Sequence, residues 1–258
     1  MGRCGNGASL EDISRSVENY TNQCFTAIES LHDLFVQRLT SAEKEVEKKW
    51  MDEHLGFQGK WHEGWVMYDG TIVIGNVPSN LCIVDYSHGM TGSVHDAAAF
   101  EHTTAAKYPN WFFADDEFAW ADSAYGVNSR TIPVHKQPAS LDPANALFNK
   151  IVAHLRVRSE HCMGALKGRF QCLHGLHLTI NSKREHNMAC RWITIAIILH
   201  NLIIDVDGHT FAAYFAQDHG QAEEEEDCGQ VHEPLGAIQN SEAKRVELVA
   251  ELTAFREM

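Results

Sequence analysis

Apolar residues at Ile13, Val17, Tyr20, Cys24, Ile28, Leu31, Phe35 and Leu39 follow one another in steps of three and four, which sets them on one face of a helix. Thr40 and Glu43 then form a capping-box pattern, in which each side chain accepts a backbone N–H left free at the helix start. They open a second, charged helix through Glu47 to Trp50. From about Gly64 the period shortens. Runs rich in β-branched and aromatic residues at 65–68, 71–74, 81–86, 118–121 and 131–134 are separated by Gly, Pro, Asn and Ser, and read as short strands. After Pro143 the helical spacing returns. Phe148, Ile151, Leu155, Cys162 and Leu166 mark one apolar face, and a further helix from about Glu185 to Ile204 is apolar nearly all round, as a core helix is.

Short strands first and long helices afterwards predict an α/β (α+β) protein, a mixed sheet with helices packed against it. The same pattern divides the chain into a helical N-terminal segment over 1–60, a sheet-and-helix domain over 61–206, and an acidic, largely flexible tail over 207–258. Within that tail, 241–257 has the spacing of a short amphipathic helix with Val246, Val249 and Leu252 on one side. The apolar run 192–204 is interrupted by His200 and Asn201 and is too short to cross a bilayer, so no membrane partner is expected.

Composition adds limits. At 44% hydrophobic and 22% charged, the 258 residues exclude collagen-like, coiled-coil and wholly disordered classes. The seven cysteines are scattered without a C-x-x-C pair, and 1–10 lack the apolar centre of a secretory leader. Reduced thiols in an intracellular compartment, nuclear or cytoplasmic, are the expectation. The formal charge of −14 has the wrong sign for a protein that coats nucleic acid with basic surface. Its distribution changes that reading. Residues 1–149 carry 10 basic and 20 acidic side chains, and 192–258 carry 3 and 13. Residues 150–191 carry 8 basic side chains against only Glu160 and Glu185, a block of +6 inside an acidic protein.

Chemistry is suggested first by Asp69, which directly follows four apolar strand positions. A charge there is costly to desolvate unless it is paired or binds a cation. Asp122 repeats the arrangement after Phe-Ala-Trp-Ala, and Asp96 follows a Gly-Ser turn at the start of an Ala-rich helix. Each has a plain alternative: Asp69 and Asp122 as turn formers, Asp96 as a helix-start acid favoured by the helix dipole. Glu160 shares a helical stripe with Asn149, Arg156, Gly164 and Lys167. Its plain alternative is an ion pair with Arg156 one turn away. Three strand-end aspartates and a helical glutamate also make a hard-cation site of the kind that binds Mg2+ or Mn2+ and cleaves phosphodiesters. His161 and the His174-x-x-His177 pair lack an accompanying Cys pair or H-E-x-x-H, which leaves a zinc-using hydrolase the weakest reading.

The blocks Asp69-Gly-Thr, Gly92-Ser-Val-His-Asp96, Ala121-Asp122-Ser-Ala-Tyr125, Phe148-Asn149, Arg158-Ser-Glu160-His161, Gly164-Ala-Leu-Lys167-Gly-Arg169-Phe170 and Leu199-His200-Asn201 occur in this order over about 44–205. Together they resemble the PIF/Harbinger-type DDE superfamily of transposases and transposase-derived nucleases, particularly its fungal members. The resemblance implies a ribonuclease-H-like fold and cleavage of DNA phosphodiesters with a divalent metal, Mg2+ or Mn2+. It implies Asp69, Asp122 and Glu160 as catalytic metal ligands, Asp96 as a further acidic ligand, and Arg156, Lys167 and Arg169 as contacts to the DNA backbone. DNA is then the expected partner, with room for a separate DNA-binding partner protein.

One departure from that family matters. There a β-hairpin follows the Asp-Gly-Thr block, whereas here only 15 residues separate Asp69 from Asp85. On the order of twenty residues, about one hairpin, are missing. The sheet is therefore expected to be incomplete, lacking its second strand or forming it poorly, with an exposed edge. Two functions remain open on the sequence: a metal-dependent endonuclease, and a catalytically inactive relic or domesticated module that binds DNA or protein.

Overall fold

The apolar stripe of the N-terminal segment forms two helices. In this computed structural model, which describes residues 9–69, 73–90, 96–174, 180–208 and 238–257, α1 (Leu10–Glu29) starts at a Ser9–Asp12 capping box, and α2 (His32–Phe35) follows a turn. The break arises where the Leu31 N–H bonds the Ile28 carbonyl, a tighter three-residue step, and the Ser30 hydroxyl donates to the Ala27 carbonyl. Burial follows the break. Leu10, Ile13, Val17 and Tyr20 are exposed, whereas Ile28, Leu31 and Phe35 pack against the core. α3 (Ser41–Leu55) has the expected Thr40–Glu43 capping box and ends at Gly56, whose left-handed φ of +79° suits glycine.

Five strands follow: β1 (Gly64–Asp69), β2 (Val73–Asn76), β3 (Ile83–Ser87), β4 (Phe118–Ala121) and β5 (Thr131–Pro133). They form one mixed sheet in the order β3-β2-β1-β4-β5. β1, β2 and β3 are antiparallel in turn, and β4 and β5 continue parallel to β1. This is a ribonuclease-H-like architecture. Of the two outcomes expected for the second strand, its loss is corrected: the short stretch after Asp69 builds β2. Its pairing with β3 is irregular, with a slip of register between Gly75 and Asn76.

Three short helices, α4 (Asp96–Phe100), α5 (Thr104–Lys107) and α6 (Pro109–Phe112), lie between β3 and β4; the first is the Ala-rich helix expected from Asp96, and the other two had no counterpart in the sequence pattern. They cover one face of the sheet, where Val66, Tyr68, Ala119 and Ala121 meet Phe100 and Phe112. The opposite face carries α7 (Pro143–Arg169), α8 (Lys183–Asp207) and α9 (Ile238–Glu257). There Met67, Trp120 and Ile132 pack with Phe148, Val152 and Leu155, while Ile74 and Ile83 pack with Cys162, Leu166 and Ile197. α8 is long and apolar enough to cross a membrane by length and composition alone, but its Ala196, Ile197 and Ile198 are core residues here.

The sheet is open, and each edge strand carries a side-chain contact at one residue. The Asn201 side chain imitates a neighbouring strand for β3, accepting from the Ile83 N–H at 2.9 Å and donating to the Ile83 carbonyl at 2.7 Å. At the other edge, Arg245 of α9 donates to the carbonyl of Pro133, a residue with no N–H to offer a further strand. The apolar side of α9 matches expectation at Val249 and Leu252, which pack on the core, and departs from it at Val246. Leu248 and Leu252 are buried while Val246 is exposed, and the Trp61 indole donates to the Leu248 carbonyl on the buried side. The acidic run 223–227 and the rest of 209–237 lie outside the described residues.

Candidate active site

The parallel register of β1 and β4 sets Tyr68 opposite Ala121. The next residue in each strand is an aspartate, so Asp69 and Asp122 stand side by side at the ends of adjacent strands, whose axes lie about 4.8 Å apart. Side chains alternate along a strand, which turns both toward the face of Met67 and Trp120, the face α7 crosses. α7 is seated by contacts on either side of this point. Phe148 packs on Trp61, the Ser159 hydroxyl donates to Asn76 Oδ1 of β2 at 2.9 Å, and Cys162 Sγ reaches the Leu81 carbonyl.

Between those contacts Arg156 projects to the two strand ends. Its Nη2 donates to Asp69 Oδ1 at 3.2 Å and lies 3.8 Å from Asp122 Oδ2. The arginine is 7% exposed, and a buried guanidinium is tolerable only against opposite charge. The two oxygens of Asp122 have separate duties. Oδ1 accepts from the Ala124 N–H at 2.6 Å, the turn-forming role, and Oδ2 faces Arg156. The turn-forming reading of Asp122 therefore holds, and it leaves Oδ2 directed at Arg156.

A third strand carboxylate, Asp85, points to the other face. It accepts from the Tyr68 hydroxyl at 2.7 Å and from the Thr104 and Ala105 N–H groups that begin α5. Tyr68 reaches it by lying across Gly75, where an added Cβ would come within 2.7 Å of the tyrosine ring. Asp85 is thus a structural acid.

The remaining site candidates are placed as follows. Glu160 is exposed on α7, one helical turn beyond Arg156. Asp96 opens α4, and its side chain lies outside the described residues, as do Gly70 and residues 91–95. Lys167 and Arg169 are half-buried in the last turn of α7, and burial pushes the Arg169 guanidinium below its ordinary range against the pull of Asp207. Among the described residues no three His, Cys, Asp or Glu side chains come together as a metal-ligand group; Asp69 and Asp122 are brought together as a pair. Among the histidines, burial and the nearby Arg158 push His161 down, and burial holds His200 at about 4 while its Nε2 bonds the Leu81 carbonyl.

Residues 57–201, more than half of the chain, match the family described as DDE superfamily endonuclease. The chain belongs to that family. No curated protein and no solved structure matches it. The matched span of the DDE domain holds both strand-end aspartates, Arg156 and Glu160, and ends on Asn201, the residue bonded to Ile83 of β3. Sequence reasoning assigned Arg156 to the DNA backbone and missed its position between the aspartates. The available signal was its place one turn before Glu160 on the same stripe, which marks a residue aimed at the acids of the site.

Proposed function

We propose that this DDE domain is a metal-dependent DNA endonuclease of the PIF/Harbinger type, close to the fungal members, acting at Asp69 and Asp122. The observation that carries the reading is the convergence of these two carboxylates on one cationic group, at 3.2 and 3.8 Å. The donor set fits Mg2+ or Mn2+: hard carboxylate oxygens, held on two rigid strand ends, already organised around positive charge. Asp69 and Asp122 would hold the ion, with Glu160 and Asp96 as the further acidic ligands. A divalent ion bound there activates water and stabilises the leaving oxygen of a phosphodiester.

The chain's own residues supply the rest. The β-sheet fixes the spacing of the aspartates, so little reorganisation is needed on binding. The Ala124 N–H holds Asp122 Oδ1 and leaves Oδ2 directed into the site. Lys167 and Arg169, on the same helix as Glu160, would neutralise phosphates of the DNA strand and make binding weaken with salt. The inactive-relic reading is favoured by the short stretch of 15 residues between Asp69 and Asp85 and by the register slip between β2 and β3.

Nicking of supercoiled DNA separates the two readings. Purified protein is assayed in Mg2+, in Mn2+ and in EDTA beside Asp69→Asn and Glu160→Gln. Metal-dependent nicking lost in both variants is the expected result. Equal activity in wild type and both variants would overturn the proposal, and no nicking by any of them would favour the relic.

A further inference from the structure

We infer that Arg156 is a built-in counter-ion which holds Asp69 and Asp122 together in the metal-free protein and competes with a divalent cation for them. This rests on the proposed reading of the two aspartates as a cation site and adds a positioning residue to it.

Two carboxylates at adjacent strand ends repel one another when no cation lies between them, and their low exposure weakens screening by water. Arg156 supplies the cation from within the chain. Its helix is anchored directly before and after it, by Leu155 in the core and by Ser159 on Asn76, so the guanidinium is delivered to one place. A single nitrogen, Nη2, serves both acids. A divalent ion that uses the same oxygens meets that positive charge at ion-pair distance. It must displace the guanidinium or bind beside it against repulsion, so Arg156 lowers metal affinity while stabilising the empty site.

This trade-off separates Arg156 from an ordinary DNA-contacting arginine and from a purely structural one. Loss of a DNA contact would leave metal affinity unchanged. Loss of a structural contact would lower stability with and without metal alike. Loss of a competing counter-ion lowers the stability of the metal-free protein and raises its affinity for metal.

The test is Mn2+ titration by calorimetry, with thermal unfolding in EDTA and in Mn2+, for wild type, Arg156→Gln, Arg156→Lys and Asp69→Asn. For Arg156→Gln the expected results are Mn2+ binding on the order of tenfold tighter than wild type, a lower unfolding temperature in EDTA, and a larger rise on adding Mn2+. Arg156→Lys, which keeps the charge, should stay close to wild type. Should Arg156→Gln fold only with metal, Mn2+-driven recovery of its circular dichroism supports the same competition. Unchanged or weaker Mn2+ affinity in Arg156→Gln, with binding still lost in Asp69→Asn, would overturn the role of Arg156 and leave the cation site standing. Absence of Mn2+ binding in wild type and in Arg156→Gln would overturn both.

Discussion

Replacing Asp85 by Asn tests whether the shortened hairpin after Asp69 is a working part of the sheet. The Asp85 carboxylate accepts four hydrogen bonds at 2.7 to 3.0 Å: Oδ2 from the Tyr68 hydroxyl and the Ala105 N–H, Oδ1 from the Thr104 and Tyr86 N–H groups. It is 4% exposed, so water cannot take over these donors. An amide at this position turns an NH2 group toward donors on one side. Bonds to a charged acceptor contribute roughly 1.5–3 kcal/mol each, and because losses within one network do not add, the substitution should cost about 3–5 kcal/mol. Tyr68→Phe removes one donor of the four and should cost about 1–2 kcal/mol. The double variant should then cost less than the sum, since Tyr68 has no carboxylate to lose once Asp85 is gone. Burial and the Asp85 charge hold the Tyr68 hydroxyl well above its ordinary range, so it remains a donor across any practical pH. Urea unfolding midpoints at constant slope measure all three values. Costs below about 0.5 kcal/mol for Asp85→Asn, the range of an ordinary surface change, would refute the assignment of Asp85 as a structural acid.

Other outcomes follow from the same contacts. Leu248→Ala should destabilise the protein by about 2–5 kcal/mol in urea unfolding, because Leu248 lies under Trp61 and Phe148 in the core; a surface-like value would mean that α9 is dispensable. Burial lowers the His200 imidazole from 6.5 to about 4, so the unfolded chain takes up this proton first as the pH falls. The His200 contribution to stability is complete above pH 6.5 and declines between 6.5 and about 4. It should amount to roughly 3 kcal/mol, with a flatter pH profile in His200→Gln. Lys44→Met removes the nearer cation from the Glu117 carboxylate, which is 4% exposed and bonded to Lys44 Nζ at 2.5 Å, and leaves it Lys48 at 3.4 Å and the Ala114 N–H. Thermal unfolding should show a loss of about 1–3 kcal/mol, partly relieved in the double variant with Glu117→Gln.

The strands, the long helices and their order were legible because burial imposes a period on the sequence. β4 falls on the residues the pattern assigned, and Thr40 and Glu43 cap α3 as their spacing requires. The break between α1 and α2 was not legible, since the apolar steps run through Ser30 and Leu31 and only the turn's hydrogen bonds mark it. α4 was signalled by the Ala-rich start at Asp96, whereas α5 and α6 escaped because four-residue helices are too short to show a period. At the site, a carboxylate after an apolar strand pointed to Asp69 and Asp122, but the same local pattern surrounds Asp85, whose acid faces the other side of the sheet. Only register distinguishes them, and register is a property of strand pairs. The place of Arg156 beside Asp69 and Asp122 was hidden for a related reason: the helix stripe gives direction, but not what lies across from it.

The most direct measurement of the central claim is an anomalous difference map from crystals of this protein soaked in Mn2+. The account predicts a manganese peak in contact with oxygens of both Asp69 and Asp122, with the Arg156 guanidinium shifted from its position between them. A map with no peak at these strand ends, at Mn2+ concentrations that support nicking, would contradict it.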